Sequence, residues 1–522
     1  MAYDSQNVSY ESLWQKYRDS NVVNKAREYS RYTLAKLVSE YDRAETDDVN
    51  REYITRDYQS VGALLVNNLV ARLGEFLFPA SARFVKLELK NMSEDQRSKK
   101  SAVQAALITI EKTIVDKSKQ NGGYADLLTT IAHQAVTGNA ALFRDVDTGT
   151  YRVYGLENFV VQRDGRGSVI DAVIKERIAW DSLPREFQAQ LEQKGFQAKS
   201  GQQRCWLYTR VQRVSRSSGF GYEITQQLGN YQGCVYTPGK DYYPEKVCPW
   251  IFPVWSLKSG EHYGRGIVED HAGDFARLSM LSESSALYMQ EALRVLWTLT
   301  GGGGSVDDIE QAPTGRVIPL QSGTKLEGIE IGDYNKVQQA RDEINQIVTR
   351  LAQAFMYTGE FRDSERTTAT EIQQVATSAE RGLGGPYSMQ GKTLQIPLAY
   401  VLLAEIDEST VPDIVGNILQ LQVVAGLDAL GRSIEAETLI KALSDAQAAM
   451  VAVANINQVA QGILDPKAIL ETIFSSNGVA LDDYRTSAQE LAQKGQQIDQ
   501  AVQAANGLPA GVVQPGQSIS QI

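Results

Sequence analysis

Apolar residues recur every three or four positions through most of residues 10–144, which predicts a largely helical first part of the chain. The spacing is clearest in residues 63–78, where the regularly placed apolar side chains are Leu65, Leu69, Leu73 and Phe76. Pro79 should end this helix, because proline lacks the backbone N–H that the next helical hydrogen bond needs. A second strong helix is predicted over residues 124–137, with Gly138 as its stop signal.

The pattern changes between about residues 151 and 253, where short runs of β-forming residues replace the helical spacing. The clearest runs are YRVYGL, FVVQRD, CWLYTRVQRV and YEITQQL. Turn-forming pairs separate these runs, namely Asp164-Gly165, Ser218-Gly219 and Pro238-Gly239. This region is therefore predicted to be β-rich or α+β.

Two long amphipathic helices are predicted next, over about residues 267–296 and 334–355. The apolar and small residues that step by three or four along the first helix are Phe275, Leu278, Leu281, Ser285, Met289, Ala292 and Leu296. Those of the second helix are Val337, Ala340, Ile344, Ile347, Leu351 and Ala354. Four glycines at 301–304 and the strand-like pieces GRVIPL and LEGIEI lie between them, so we expect a helical hairpin with a small β domain at its tip. The two stripes fit a coiled coil within one subunit as well as packing between subunits.

The rest of the chain is mostly helical in pattern. The polar segment MYTGEFRDSERTT follows the second long helix and is typical of an exposed loop. Helices are expected over about residues 370–381, over 394–406 with Pro397 near the start or kinking it, and almost throughout 411–503. The last residues, NGLPAGVVQPGQSISQI, have the composition of a flexible tail. The predicted fold class is α+β, predominantly helical.

Composition and charge set bounds on the function. The chain has 522 residues, enough for about three domains. Its formal net charge of −11 excludes a histone-like protein that grips DNA over its whole surface. A channel that lets DNA slide and an ordinary enzyme both fit this charge. The N-terminus has no secretory signal pattern and no stretch approaches ~18 consecutive apolar residues, so we expect no membrane span.

No motif for catalysis or metal binding stands out in the sequence. Cys205, Cys234 and Cys248 form no CxxC pair and are interpreted as reduced thiols, and the three histidines are scattered. The glycines at 301–304 are followed by Ser305-Val306-Asp307-Asp308, without the lysine of a phosphate-binding loop, which favours a turn. The nucleophile elbow GxSxG and the zinc motif HExxH do not occur. We therefore predict no enzyme activity, no cofactor and no metal.

Two short segments have a functional interpretation beside a plain one. On composition alone Asp363-Ser364-Glu365-Arg366 is a solvated loop, although its place between two helices also suits a moving or contacting loop. Gly264-Arg265-Gly266 permits a tight turn into the first long helix. Arg265 is expected either to pair with a carboxylate or a phosphate, or simply to be a surface arginine near a helix N-terminus.

Four stretches of the chain are distinctive in sequence and order. They are VGALLVNNLVARLGEFLFPASARFVKLEL (61–89), residues 158–184 with Val-Val-Gln-Arg-Asp and Leu-Pro, residues 263–278 with Tyr-Gly-Arg-Gly, and RTTATEIQQVATSAERGLGGPYSMQGKTLQIPL (366–398). In this order they resemble the portal, or head-to-tail connector, proteins of short-tailed podoviruses. The resemblance covers about residues 10–440, and beyond that point only the helical character matches.

The resemblance implies the portal fold of that family, with a wing, a two-helix stem, a β-containing clip at the stem tip, a tunnel loop and a helical crown. Carried over by position, the parts are the wing at 1–266 with its β-rich part at about 151–253, the stem helices at 267–297 and 333–356, the clip at 298–332, the tunnel loop at 357–368, a wing helix returning from the channel at 369–406, and the crown or barrel with its tail at 407–522.

The resemblance also implies a dodecameric ring at the unique capsid vertex, assembled in the host bacterial cytoplasm, through which double-stranded DNA passes without sequence specificity. The residues expected near the DNA are Arg362, Asp363, Ser364, Glu365 and Arg366 in the tunnel loop and Lys336 and Arg341 on the stem. The residues expected on the docking surface of the clip are Asp307, Asp308, Glu310, Arg316 and Lys325. The implied partners are the terminase large subunit, then the tail adaptor, and also the major capsid, scaffold and internal core proteins.

Two other classes of protein stay open on the residues alone. A ring-forming tail adaptor of the same virion would usually be shorter and would lack the long hairpin. A cytosolic enzyme would need a convergent cluster of titratable residues, which the sequence does not single out. ATP hydrolysis by the purified chain would favour the enzyme.

Overall fold

The computed structural model describes residues 9–39, 57–79, 84–89, 100–196, 201, 203–217, 219–229, 234–292, 296–300, 325–329, 334–357, 385–406, 421–425, 444–445 and 447–449. The chain divides into two units, Met1–Gly431 and Arg432–Ile522, and nearly all described residues belong to the first. Helices and strands are both abundant in that unit, in agreement with the predicted α+β class.

The helices of the first part of the chain follow the predicted apolar spacing. They are α1 (Tyr10–Tyr17), α2 (Ser20–Tyr32), α3 (Val61–Leu77), α4 (Lys100–Lys119) and α5 (Gly123–Thr137). α3 buries Leu65, Leu69 and Leu73 and ends two residues before Pro79. α5 ends at Gly138, whose φ of 79° is the left-handed conformation that glycine adopts without strain. Both predicted helices are confirmed.

Twelve strands are described. They are β1 (Val85–Leu89), β2 (Ala141–Asp145), β3 (Thr150–Tyr154), β4 (Phe159–Arg163), β5 (Val169–Ala179), β6 (Arg204–Arg216), β7 (Gly219–Leu228), β8 (Tyr243–Pro244), β9 (Trp250–Ile251), β10 (Leu296–Thr300), β11 (Lys325–Ile329) and β12 (Leu421–Ala425). One antiparallel sheet has the order β4-β5-β6-β7-β8, and a second has the order β3-β2-β9. Helix α6 (Arg185–Gln193) lies between β5 and β6 in the chain. The predicted β-rich region is therefore confirmed.

The remaining helices of the first unit follow the β-rich region. They are α7 (Ile267–Asp270), α8 (Ala272–Ala292), α9 (Tyr334–Ala354), α10 (Gly385–Gln390) and α11 (Ile396–Ala404). Side chains from α3, α5, α8, α9 and α11 share one large apolar core, which includes Leu69, Ile131, Phe275, Leu351 and Leu402. The two long helices are thus anchored in the same core as the N-terminal helices.

The first long helix is shorter than predicted. Instead of one helix over residues 267–296, the structure has α7 and α8 separated at His271, and Leu296–Thr300 is strand β10. The prediction was wrong at this end because Leu296 fits both the last position of a helical stripe and the first of the β-forming run LWTLT. β10 pairs antiparallel with β11, from Leu296 opposite Ile329 to Thr300 opposite Lys325. The strand predicted for LEGIEI is confirmed, while GRVIPL lies outside the described residues.

The described chain is helical from Gly385 onward, ahead of the predicted start at residue 394. The sequence Gly-Leu-Gly-Gly-Pro suggested a break, but its last two residues, Gly385 and Pro386, lie within α10. A π-helical turn, Gly391–Gln395, joins α10 to α11 and directly precedes the turn that holds Pro397. The wider turn accommodates a proline within an otherwise continuous helix.

β12 departs from the nearly continuous helix predicted over residues 411–503. It pairs antiparallel with β1, from Val85 opposite Ala425 to Leu89 opposite Leu421. The prediction was wrong here, and β1 likewise interrupts the helical first part, because a ladder between segments far apart in sequence leaves no local periodicity. β12 belongs to the first unit although it falls within the predicted crown.

The three cysteines are buried and form no disulfide, as predicted. Burial raises the pKa of the Cys205 and Cys234 thiols and raises that of Cys248 to about 12. In the described part of the chain no group of three or more His, Cys, Asp or Glu side chains is arranged to hold a metal ion. None of the described helices combines the length and the apolar character that crossing a bilayer requires.

His133 on α5 should make the stability of the chain fall in mild acid. Burial lowers its pKa to about 4, and Nδ1 has no hydrogen-bond partner among the described residues. In the unfolded chain this histidine takes up a proton near pH 6.5, and in the folded chain near pH 4. The contribution of the neutral imidazole to the free energy of unfolding is therefore fully present above pH 6.5 and is lost as the pH falls towards 4. We expect a loss on the order of 3 kcal/mol by pH 4, measured by urea unfolding at several pH values. His133→Leu should reduce this dependence, and an unchanged pH profile would contradict the assignment.

Candidate functional site

α8 and α9 pack against each other as an antiparallel hairpin. At its base the rings of Phe275 and Phe355 meet edge to face, with centroids 5.6 Å apart. The base is buried in the main core through Leu278, Ile347 and Leu351 as well. At the other end of the hairpin lie the paired strands β10 and β11. The predicted hairpin with β structure at its tip is therefore present.

Close backbone contacts fix the turn that leads into the hairpin. Asn139 Oδ1 accepts a hydrogen bond from the Gly264 amide at 2.7 Å, and Asn139 Nδ2 donates to the Gly264 carbonyl at 2.9 Å. A Cβ at Gly138 would lie 2.4 Å from the Gly264 carbonyl oxygen, so this approach requires glycine. Arg265 is an exposed arginine just before the helix N-terminus, as the plain interpretation expects, and it also pairs with the Glu261 carboxylate at 2.8 Å.

The C-terminal end of α9 is closed by backbone hydrogen bonds. The Tyr357 amide donates to Ala352 O at 2.8 Å and the Met356 amide to Gln353 O at 3.3 Å. Met356 has a φ of 57°, so this is a helix-ending motif in which methionine takes the place that glycine usually fills, at a cost of about 1–3 kcal/mol. Asn68 Nδ2 also donates to Met356 O at 3.5 Å. The direction in which the chain leaves the hairpin is therefore set by main-chain contacts.

Two ion pairs connect the helices of the hairpin. Arg350 pairs with Asp274 at 2.8 Å, and Arg277 pairs with Glu343. Both arginines are exposed, so each pair contributes less than about 1 kcal/mol. The pairs neutralise charge locally and favour one register of α8 relative to α9.

The exposed faces of the two helices differ in chemistry. α8 exposes large apolar side chains, with Met280 68% and Leu287 50% exposed, beside polar ones such as Arg277 and Glu283. Among residues 337–354 of α9 the exposed ones are all polar: Gln338, Gln339, Arg341, Asp342, Asn345, Gln346, Thr349, Arg350 and Gln353. The exposed apolar side chains of α8 suit burial against protein, and the polar face of α9 suits water or a polyanion that must not be held tightly.

Three of the residues predicted to act lie on described elements. Arg341 is exposed on α9, and Lys336 lies in the first turn of the same helix. Lys325 begins β11 and is exposed. The other predicted residues lie outside the described part of the chain: Asp307, Asp308, Glu310, Arg316, Arg362, Asp363, Ser364, Glu365 and Arg366.

The charged side chains that become buried in the fold could not be recognised from the sequence. Arg144 pairs with Glu405 at 2.8 Å, and Arg210 pairs with Asp171 at 2.7 Å. Arg163 is buried against backbone carbonyls, and this burial lowers its pKa to about 10. The sole local signal for Arg163 was an arginine that closes the apolar run FVVQR, which does not reveal its partners.

Comparison with known proteins identifies the family. The model of the bacteriophage head to tail connecting proteins matches residues 7–481, so the chain belongs to that family. It is 36% identical to the portal protein of Pseudomonas phage phiKMV, over 94% of each chain. It is 28% identical to the portal protein of Enterobacteria phage T3, over 94% of this chain and 91% of the other. The chain stands with the portal proteins of podovirus-type phages and has the portal role at the capsid vertex.

Solved structures of a gene transfer agent particle also align with the chain. A chain of the native gene transfer agent virion aligns with a TM-score of 0.39 and 11% identity, covering 90% of this chain and 99% of that one. A chain from the neck of the native particle aligns with a TM-score of 0.37 and 12% identity, covering 80% and 90%.

Proposed function

We propose that copies of this chain form a closed dodecameric ring at the capsid vertex, and that double-stranded DNA passes through it during packaging and ejection. The observation that supports this most is the hairpin of α8 and α9, in which α8 exposes large apolar side chains among polar ones and the described residues of α9 expose polar ones alone. A heterologous interface repeated by rotation closes a ring. Such a ring buries the exposed apolar side chains of α8 between copies and leaves the polar face of α9 for the channel, where mixed charge lets a polyanion slide.

The parts of the subunit are assigned by position from the resemblance to the portal family. The wing comprises residues 1–266 together with residues 369–406, which include α10 and α11. The stem consists of α8 and α9. The clip lies between the stem helices and includes β10 and β11. The tunnel loop comprises residues 357–368, directly after the main-chain closure of α9. The crown comprises residues 407–522, and β12 within it pairs with β1 of the wing.

The clip is the proposed docking surface for other proteins. The terminase large subunit binds there during packaging and the tail adaptor afterwards, since one surface cannot hold both. Lys325 at the start of β11 is exposed as this role requires. The major capsid, scaffold and internal core proteins meet the wing and crown. ATP hydrolysis belongs to the terminase in this scheme.

Electron microscopy of the purified full-length chain tests the proposal. We expect rings with a central opening wide enough for a DNA duplex, and we expect the protein at a single vertex of the virion. A chain that stays monomeric in every condition, or that is found elsewhere in the virion, would overturn the proposal.

Charge reversal in the tunnel loop should weaken the retention of packaged DNA. Arg362→Glu with Arg366→Glu replaces two cations per subunit by anions, so contacts with phosphates become repulsive. We expect genome-filled particles to decrease by about tenfold, with a reduced dependence on salt. The matched control is Lys112→Glu with Lys240→Glu, two exposed lysines outside the hairpin. Equal yields of filled particles from both variants would rule out a DNA contact for the two arginines.

A further inference from the structure

A cavity of about 390 Å³ opens where the five-stranded sheet meets the π-helical turn. One wall of the cavity is apolar and is formed by Trp250, Phe252, Leu257 and Pro397. The π-helical turn places Lys392 and Thr393 on the opposite side. Such turns often accompany functional sites, because the extra residue re-aims the side chains around it. The cavity therefore combines an apolar wall with cationic side chains.

Arg163 lines this cavity as a buried cation, with 7% of its surface exposed. Nε donates to His262 O at 3.1 Å, Nη1 to Gly167 O at 3.0 Å and Nη2 to Phe252 O at 2.9 Å. A guanidinium has five N–H groups, so two are left over, and no described carboxylate pairs with it. A buried cation without a counter-charge is costly, which makes this site receptive to an anion.

The lining of the cavity has a surplus of positive charge. Its cationic residues are Arg163, Arg166, Lys246, Lys258 and Lys392, and its acidic residues are Asp164, Glu245 and Glu261. The acidic residues are already paired with arginines outside the lining. Arg213 holds Asp164 at 3.3 Å and Glu245 at 3.1 Å, and Arg265 holds Glu261 at 2.8 Å. In a chain of net charge −11 this cavity is a local exception.

We propose that the cavity receives a carboxylate-bearing segment of a second copy of this chain, the neighbour in the ring. The inference rests on the proposed function. The chain has 63 acidic and 52 basic residues, so a neighbouring copy brings the complementary charge. Copies that repel each other overall need local attraction where they meet. A DNA backbone would match the cations but leave the apolar wall without a partner, whereas a peptide brings apolar side chains beside its carboxylate.

Assembly of the full-length chain at several protein and salt concentrations tests the proposal by sedimentation velocity. The cavity variant is Lys258→Glu with Lys392→Glu, since replacing Arg163 would also free three carbonyl groups. The control is Lys112→Glu with Lys240→Glu, which changes the net charge equally. At low salt the cavity variant should need at least about tenfold more protein to assemble, and the gap should narrow at high salt. The control should stay within about twofold of the wild type.

The outcomes separate this inference from the proposed function. If the wild type forms rings and the cavity variant does so at the same concentration, the inference is overturned and the ring stands. If the wild type forms no ring, both are overturned. If the cavity variant assembles normally but binds a short double-stranded DNA probe more weakly than the control, the occupant is a phosphate and the inference is overturned as well.

Discussion

Replacing Arg144 by methionine is expected to destabilise the folded chain by about 3–5 kcal/mol. The buried guanidinium binds both carboxylate oxygens of Glu405, with Nε–Oε1 at 2.8 Å and Nη2–Oε2 at 3.0 Å. Nη1 also donates to Gly149 O at 2.6 Å, and the group lies over the Tyr151 ring. Methionine would leave Glu405 as a buried charge with Lys117 at 3.8 Å as its remaining cation in the described structure. The pair joins β2 to the end of α11, so its loss would separate parts of the chain that precede and follow the hairpin.

Urea unfolding at fixed protein concentration measures this effect. Arg152→Met is the matched control, because Arg152 is 55% exposed and lies 3.9 Å from Asp145, so its loss should cost under about 1 kcal/mol. The double variant Arg144→Met with Glu405→Gln removes both charges and should regain much of the lost stability. Equal unfolding midpoints for Arg144→Met and Arg152→Met would show that the buried pair does not join the two parts of the chain.

Phe355→Ala is the second change with a large expected effect, about 3–5 kcal/mol. The Phe355 side chain is fully buried at the base of the hairpin, with its ring 5.6 Å from that of Phe275 and 5.8 Å from that of His271. Alanine would leave a cavity and remove the aromatic contacts. The last turn of α9 should then open more often, which hydrogen exchange of its amides would detect alongside a lower unfolding midpoint.

Two controls bracket the Phe355 result. Phe355→Leu keeps most of the apolar volume and should cost less than about 1.5 kcal/mol. Met280→Ala removes a side chain that is mostly exposed in the isolated subunit and should change stability by less than about 0.5 kcal/mol. If Phe355→Ala resembled Met280→Ala, the base of the hairpin would not be anchored by this ring.

Local periodicity predicts the elements that bury one continuous face. α3, α5 and α9 were predicted to within a few residues because their apolar side chains repeat regularly and a proline or glycine follows two of them. The same reasoning failed for β12, whose partner β1 lies far away in sequence, and for the end of α8, where one leucine fits two patterns. Boundaries between helix and strand depend on pairing partners that single-segment patterns do not contain.

The candidate site divides in a similar way. The hairpin follows from two amphipathic stripes around a glycine-rich insert, and it could be predicted. The burial of Arg163 and the pairing of Arg144 with Glu405 could not be predicted from the sequence. Each depends on backbone or carboxylate groups that tertiary packing brings together. The tunnel-loop and clip residues stay predictions that rest on family resemblance.

The burial of Cys205, Cys234 and Cys248 affects how well a particle resists oxidation after its release from the host. Thiolate, rather than thiol, reacts with oxidants and with other sulfur atoms. Because burial raises the pKa of all three thiols, they hold still less thiolate at neutral pH than an exposed cysteine, so dissolved oxygen should neither oxidise them nor form disulfides between adjacent copies. The rate at which these cysteines oxidise in a stored particle should then depend on how rarely the buried regions around them open to solvent.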